Sequence, residues 1–164
     1  MLLVKNAEVY APEYLGKKDL LICGGKIECM QDSIGELPVE CEILDAEGKI
    51  LTPGFLDQHV HITGGGGEGS FHTRTPELQM SELVENGITT VVGLLGTDGI
   101  TRSVDNLYAK TRVLCEEGVS AYMLTGAYGY PSPTLTGEID RDIVFVKEIL
   151  GVKLAISDHR APNV

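Results

Sequence analysis

Between residues 51 and 62 the chain reads Leu51-Thr52-Pro53-Gly54-Phe55-Leu56-Asp57-Gln58-His59-Val60-His61-Ile62, and its character changes across Pro53-Gly54. Before it, residues 2–9, 19–23, 26–31 and 40–44 read as short strands, with Gly24-Gly25 as a two-residue hairpin turn, and no helical period appears. After it, strands and helices alternate. A strand is expected over 55–62. A helix follows over 75–86, with Thr75 as N-cap, Pro76 at the first helical position and Gly87 as the stop. Strands at 88–95, 119–125 and 152–157 are then separated by helices at about 103–117 and 138–150. The last helix carries Ile139, Ile143, Val146 and Leu150 as an apolar stripe. These strands are apolar on both faces, the pattern of a parallel sheet covered by helices. The expected fold is α/β, with a β-rich domain over 1–52 and the first four or so β/α units of a TIM-type hydrolase barrel over 53–164. An open doubly wound sheet fits the same pattern. A complete barrel takes about 250 residues, so a barrel here would stop at its fourth strand.

Composition narrows the function classes. The 164 residues carry 24 acidic against 13 basic side chains, a formal net charge of −11. That balance, with no Lys/Arg cluster, disfavours nucleic acid and anionic lipid as partners. Four cysteines, Cys23, Cys29, Cys41 and Cys115, show no Cys-x-x-Cys spacing and read as small core residues in a reducing compartment. The N-terminus lacks the basic and apolar regions of a signal peptide, and no apolar run approaches the roughly 20 residues of a membrane span. A cytoplasmic protein is expected.

Five features could carry chemistry. His59 and His61, two apart on a strand, project to the same face and could share one divalent metal; two unrelated histidines would show the same spacing. Gly64-Gly65-Gly66-Gly67-Glu68-Gly69 formally satisfies the dinucleotide fingerprint. That site needs a helix opening directly on the glycines, whereas here the helix is expected only at Thr75. The run reads instead as a flexible loop carrying Glu68 over a site, or as a plain surface loop. Lys153 lies in an apolar strand, where its charge must be paired with a carboxylate, led out to solvent at the strand end, or lost by reaction with CO₂ to a carbamate. Tyr128 and Arg160 follow strand ends, where a barrel builds its active face. Tyr128 could donate to a developing oxyanion and Arg160 could clamp a carboxylate, or both could be ordinary surface residues. Asp98 and Asp158 read as turn residues, and His72 and His159 as incidental.

Together these segments resemble a known family. Pro53 through His61 is similar to the opening strand of the amidohydrolase superfamily, which includes dihydroorotases and hydantoinases. The glycine run with Glu68, Thr73-Arg74-Thr75-Pro76-Glu77, Val91-Val92-Gly93-Leu94-Leu95-Gly96-Thr97, Leu124-Thr125-Gly126-Ala127-Tyr128, Gly151-Val152-Lys153 and Ser157-Asp158-His159-Arg160 resemble the isoaspartyl dipeptidases within it. The resemblance implies hydrolysis of β-aspartyl dipeptides with two zinc ions, by attack of metal-activated hydroxide on the amide carbonyl. It implies that His59 and His61 ligate one zinc, and that Lys153, as a carbamate, bridges to the second. Tyr128 would polarise the carbonyl. Glu68 would receive the substrate's α-ammonium group, Thr97 and Arg160 would contact its polar and carboxylate ends, and Gly67 and Tyr128 would make further substrate contacts. A homo-oligomer is implied for the complete protein.

The family pattern also includes two more histidines, an aspartate and a second arginine on later strands, and these have no counterpart before Val164. The sequence therefore reads as an N-terminal portion that neither holds two zincs tightly nor turns over substrate alone. The alternatives are an amidohydrolase acting on cyclic amides, a nucleotide-binding α/β domain using residues 64–69, and a non-catalytic interaction module.

Overall fold

The computed structural model describes residues 1–160. It contains two compact units, Met1–Pro53 and Gly54–Val164.

In the first unit β1 (Leu2–Tyr10) is central. It pairs antiparallel with β2 (Tyr14–Cys23), which pairs antiparallel with β3 (Lys26–Gln31). On its other side β1 pairs in parallel with β4 (Glu42–Asp45) and β5 (Ile50–Leu51). β2 begins five residues before the expected strand at 19–23, because Tyr14 through Lys18 continue the ladder on β1. Val4, Ala7, Val9 and Leu20 form the core. A bulge sits at Asn6, whose φ is 58° and whose backbone N–H donates to Asp19 Oδ1 at 2.8 Å. A bulge residue off the ladder needs such a replacement acceptor.

The second unit is a four-stranded parallel sheet: β6 (Phe55–Val60), β7 (Ile88–Gly93), β8 (Ser120–Gly126) and β9 (Ile149–Lys153), side by side in chain order. Doubly wound sheets reverse order at a switch point within their first four strands, whereas a barrel adds each strand beside the last. The sequential order therefore selects the barrel arrangement over the open sheet. Among the described residues β6 and β9 are each paired on one side only. β6 is accordingly not a buried strand: Phe55 and Leu56 are exposed.

The helices differ in how closely they follow the sequence pattern. α2 (Val104–Glu116) matches its expectation; Ser103 caps it, accepting from Asn106 N–H, and Val104, Leu107, Thr111 and Leu114 form its buried face. α1 is only Met80–Val84, capped by a reciprocal Gln79/Glu82 box. Thr75, expected as N-cap, instead bonds Gly65 through both its backbone N–H and its hydroxyl, which holds 75–79 out of the helix. α3 is Ile139–Phe145, and the apolar stripe does not seat it: Ile143, Val144 and Phe145 are exposed. Its buried residue is Asp142, which accepts from Thr125 Oγ1, from the backbone N–H groups of Leu135 and Thr136, and from Thr136 Oγ1. The helix is organised around a carboxylate, so Leu150 falls in β9 and Lys153 ends that strand rather than lying inside it. None of the four cysteines is buried; all are free, and Cys23 is exposed. No helix among the described residues is long and apolar enough to cross a membrane.

Candidate active site

The C-terminal ends of the four parallel strands converge on a cavity of about 260 Å³. It is lined by His59 from β6, His61 directly after it, Glu68 from the following loop, Thr97 and Asp98 from the loop after β7, Arg102 from the turn before α2, Tyr128 from the loop after β8, and Arg160 from the segment after β9. The parallel arrangement accounts for this grouping, since it places the loop leaving each strand at the same end of the sheet.

His59 and His61 stand with ring centroids 5.7 Å apart and planes perpendicular. His61 Nδ1 lies 3.0 Å from the Leu94 carbonyl oxygen. A carbonyl only accepts, so Nδ1 of the neutral ring carries the proton and Nε2 keeps its lone pair for a metal. Two glycines make room for that ring. A Cβ on Gly96 would come to 3.1 Å of His61 Cε1, and one on Gly65 to 3.3 Å of Cδ2. His59 is held below the ordinary imidazole range, first by lost hydration and then by the positive charges of Lys153 and His61. The neutral, ligating form is thereby favoured.

Lys153 places its ammonium 5.1 Å from the centroid of the Tyr128 ring, and Arg160 places its guanidinium carbon 5.6 Å from the same centroid. Tyr128 is thus bracketed by two cations. Glu68 accepts from Thr97 Oγ1 at 3.2 Å and from Arg160 Nη1 at 3.3 Å. Its own backbone N–H, then Thr97 and Arg160, hold its carboxyl below the usual range against a smaller opposing effect of burial.

Asp158 takes most of Arg160. Its carboxylate accepts from the Arg160 backbone N–H at 3.0 Å, from Nε at 2.9 Å and from Nη2 at 2.6 Å. Those bonds hold Asp158 far below, and Arg160 above, their ordinary ranges. Sequence reasoning passed over Asp158; an aspartate two residues before a candidate substrate-binding arginine was the available signal. Asp98 is a turn residue, accepting from Ile100 and Thr101 N–H. His159 is exposed, with Asp158 3.7 Å away. Gly67 lies outside the cavity, in an adjoining groove shared with Glu68, Thr97 and Arg160. The glycine run is not a phosphate cradle: only a single 3-10 turn at Phe71–Thr73 follows it, and α1 begins at Met80. Nor is it a slack loop, because Gly64, Gly65 and Thr75 are tied by backbone and side-chain bonds.

No group of three or more His, Cys, Asp and Glu side chains among the described residues is placed to hold a metal ion. The two adjacent imidazoles, one with its Nε2 freed by the Leu94 carbonyl, nonetheless fit one corner of a metal centre.

No family model matches the chain. The beta-aspartyl dipeptidase of Fervidobacterium islandicum AW-1 is 53% identical with a TM-score of 0.93, over 98% of this chain and 44% of that one. The same enzyme in complex with a beta-Asp-Leu dipeptide superposes with a TM-score of 0.92, over 42% of its chain. A dihydroorotase of Listeria monocytogenes serotype 4a (strain HCC23) is 35% identical over 126 residues, 74% of this chain and 28% of the relative. The chain thus spans less than half the length of these proteins. A solved dihydroorotase at 20% identity and a TM-score of 0.56 shares the fold. On sequence and on fold together, the chain belongs to the amidohydrolase superfamily, on its beta-aspartyl dipeptidase branch.

Proposed function

We propose that the protein contributes the first half of a zinc-dependent active site that hydrolyses β-aspartyl dipeptides. One observation carries this reading most directly. A single small cavity brings a pair of adjacent imidazoles together with an acidic and a basic side chain, on a chain 53% identical to a beta-aspartyl dipeptidase solved with beta-Asp-Leu. In this reading residues 1–53 form an accessory β domain and residues 54–164 the opening β/α units of the catalytic barrel. His59 and His61 would hold one zinc, and Lys153, as a carbamate, would supply a ligand shared with a second. The metals, when bound, acidify water and polarise the amide carbonyl.

The chain's own residues then bind and orient. A β-aspartyl dipeptide carries an α-ammonium and two carboxylates. Glu68 takes the ammonium, beside Gly67 and Thr97, while Arg160, held in plane by Asp158, takes a carboxylate in fork geometry. Tyr128 sits between these groups and Lys153, with its hydroxyl available to the carbonyl oxygen as negative charge develops there. The two cations beside its ring add positive potential to the same region of the site.

The protein expressed from its whole reading frame is expected to release aspartate from β-Asp-Leu. A chelator should abolish that release and added zinc restore it. Lys153→Ala should reduce turnover to background, and a short carboxylic acid that can stand in for the carbamate should restore part of it. The 35% identity to dihydroorotase supports a second reading. Hydrolysis of dihydroorotate with no action on any β-aspartyl dipeptide would replace the first reading with that one.

A further inference from the structure

Arg102 is buried, at 5% exposure, in the turn before α2; it borders the same cavity, and no role has been assigned to it above. Its guanidinium is used in three directions. Nε donates to the Thr63 carbonyl at 3.0 Å, Nη2 donates to the Thr75 carbonyl at 2.9 Å, and Nη1 lies 3.8 Å from Asp98 Oδ2. Thr63 and Thr75 are the two residues flanking the loop 64–74 that carries Glu68. Asp98 directly follows Thr97, whose hydroxyl donates to Glu68.

We propose that Arg102 is a positioning residue, a strut that clasps both ends of the glycine-rich loop, fixes them to the loop after β7, and thereby sets Glu68 in the cavity wall. Its fit is tight. A Cβ on Gly64, where φ is +85°, would meet Thr75 O at 2.4 Å and Arg102 Nη2 at 2.9 Å, so the loop closes on the guanidinium only because residue 64 is glycine. Asp98 also faces Arg74 at 3.9 Å, which ties the C-terminal arm of the loop to the same carboxylate. Arg102 also borders the cavity, but its Nε and Nη2 donors are committed to the two loop-end carbonyls, so the role proposed for it is to hold the loop. A lysine cannot replace it, because one ammonium on a flexible stem does not span two carbonyls and a carboxylate at fixed angles.

The consequence for specificity rests on Glu68 receiving the substrate's ammonium, and the test separates the two ideas. In the protein expressed from its whole reading frame, amide hydrogen exchange is measured for Arg102→Lys. Faster exchange is expected at Gly65 and Thr75, with the amides of β7 and β8 unchanged. Unchanged exchange at the loop, or a uniform increase across the unit, would overturn the strut. In parallel, kcat/KM is compared for β-Asp-Leu and for succinyl-leucine, which differs only in lacking the α-ammonium. Arg102→Lys should lower the preference for β-Asp-Leu by about 10- to 100-fold, the range expected when a binding group is displaced by about an ångström. The double variant with Glu68→Gln should lose no more preference than Glu68→Gln alone. Equal losses on both substrates would reduce Arg102 to a general structural role. If Glu68→Gln itself leaves the preference intact, the assignment of Glu68 fails, and the exchange data alone decide the strut. Should a buried ammonium prevent folding, Arg102→Gln, with a neutral donor, is read in the same way.

Discussion

His61 illustrates what one residue can owe to its neighbours. A His-x-His pair shows only that two rings share a face; it does not show which nitrogen is free. The Leu94 carbonyl, on the adjacent strand's loop, decides that. Nitrogen-15 NMR of the metal-free protein, at a pH where the ring is neutral, should find His61 with its proton on Nδ1. A dominant Nε2–H tautomer would mean that the Leu94 contact does not hold and that Nε2 is not the ligating atom. Leu94 could not have been singled out from sequence, because it acts through its backbone. His59, His61, Glu68, Tyr128 and Arg160 are readable as residue types at or after strand ends, whereas Thr97 comes only from the family resemblance. Arg102 is not readable, since it works by bonding to other protein groups and neither type nor spacing marks it. Asp158 works in the same way, and only its place two residues before Arg160 hints at it.

At the level of elements, sequence served best where a helix is held by a continuous apolar face and a simple cap, as in α2. It served worst where polar side chains override that pattern. Thr75, with good N-cap chemistry ahead of Pro76, is spent on Gly65, and α1 starts later in consequence. In α3 the 4-3-4 apolar stripe suggested a buried face, yet the structure buries Asp142 and uses it to fold back the loop that carries Tyr128. Asp142→Asn should therefore cost more than its near-identical shape suggests. The new NH₂ would face N–H and O–H donors, a loss of about 1–3 kcal/mol on the scale of an unsatisfied buried donor, measured by urea denaturation. Burial raises the Asp142 pKa, but the bonds from Thr125, Leu135 and Thr136 outweigh it and the carboxyl titrates below its ordinary value. A carboxyl depressed on folding contributes stability that is complete above its unfolded pKa of about 3.9. That contribution is lost as pH falls through the lower folded value. The stability difference between the parent protein and the Asp142→Asn variant should hold from neutrality to about pH 4 and then narrow. A difference independent of pH down to about 2 would contradict the account.

At the scale of the whole chain, parallel strands in sequential order leave two unpaired edges among the described residues, β6 and β9. Phe55 and Leu56 lie exposed on one, and Leu150 and Leu154 on or just beyond the other. A closed barrel has no such edges, whereas an open one presents a row of unpaired N–H and C=O groups together with apolar surface. A chain of these 164 residues alone should self-associate at micromolar concentration and bind a hydrophobic dye, and the product of the whole reading frame should do neither. Light scattering that shows a compact, dye-silent monomer for the 164-residue chain would refute this. The alternation of strands and helices was legible from sequence. The choice between barrel and open sheet was not, because both give the same alternation and differ only in which strands become neighbours.

The contact between Glu68 and Arg160 joins residues from the first and fourth strand-end loops. Glu68 holds Arg160 as its cation, while Arg160 is shared between Glu68 and Asp158. A ligand that offers an ammonium to Glu68 and a carboxylate to Arg160 exchanges this internal pair for two external ones. A ligand that offers only a carboxylate takes Arg160 from Glu68 and leaves Glu68 without that cation, whereas one that offers only an ammonium leaves Arg160 still paired with Asp158. The Glu68–Arg160 pair thus discriminates among ligands by charge, before any contact with the reacting bond is made.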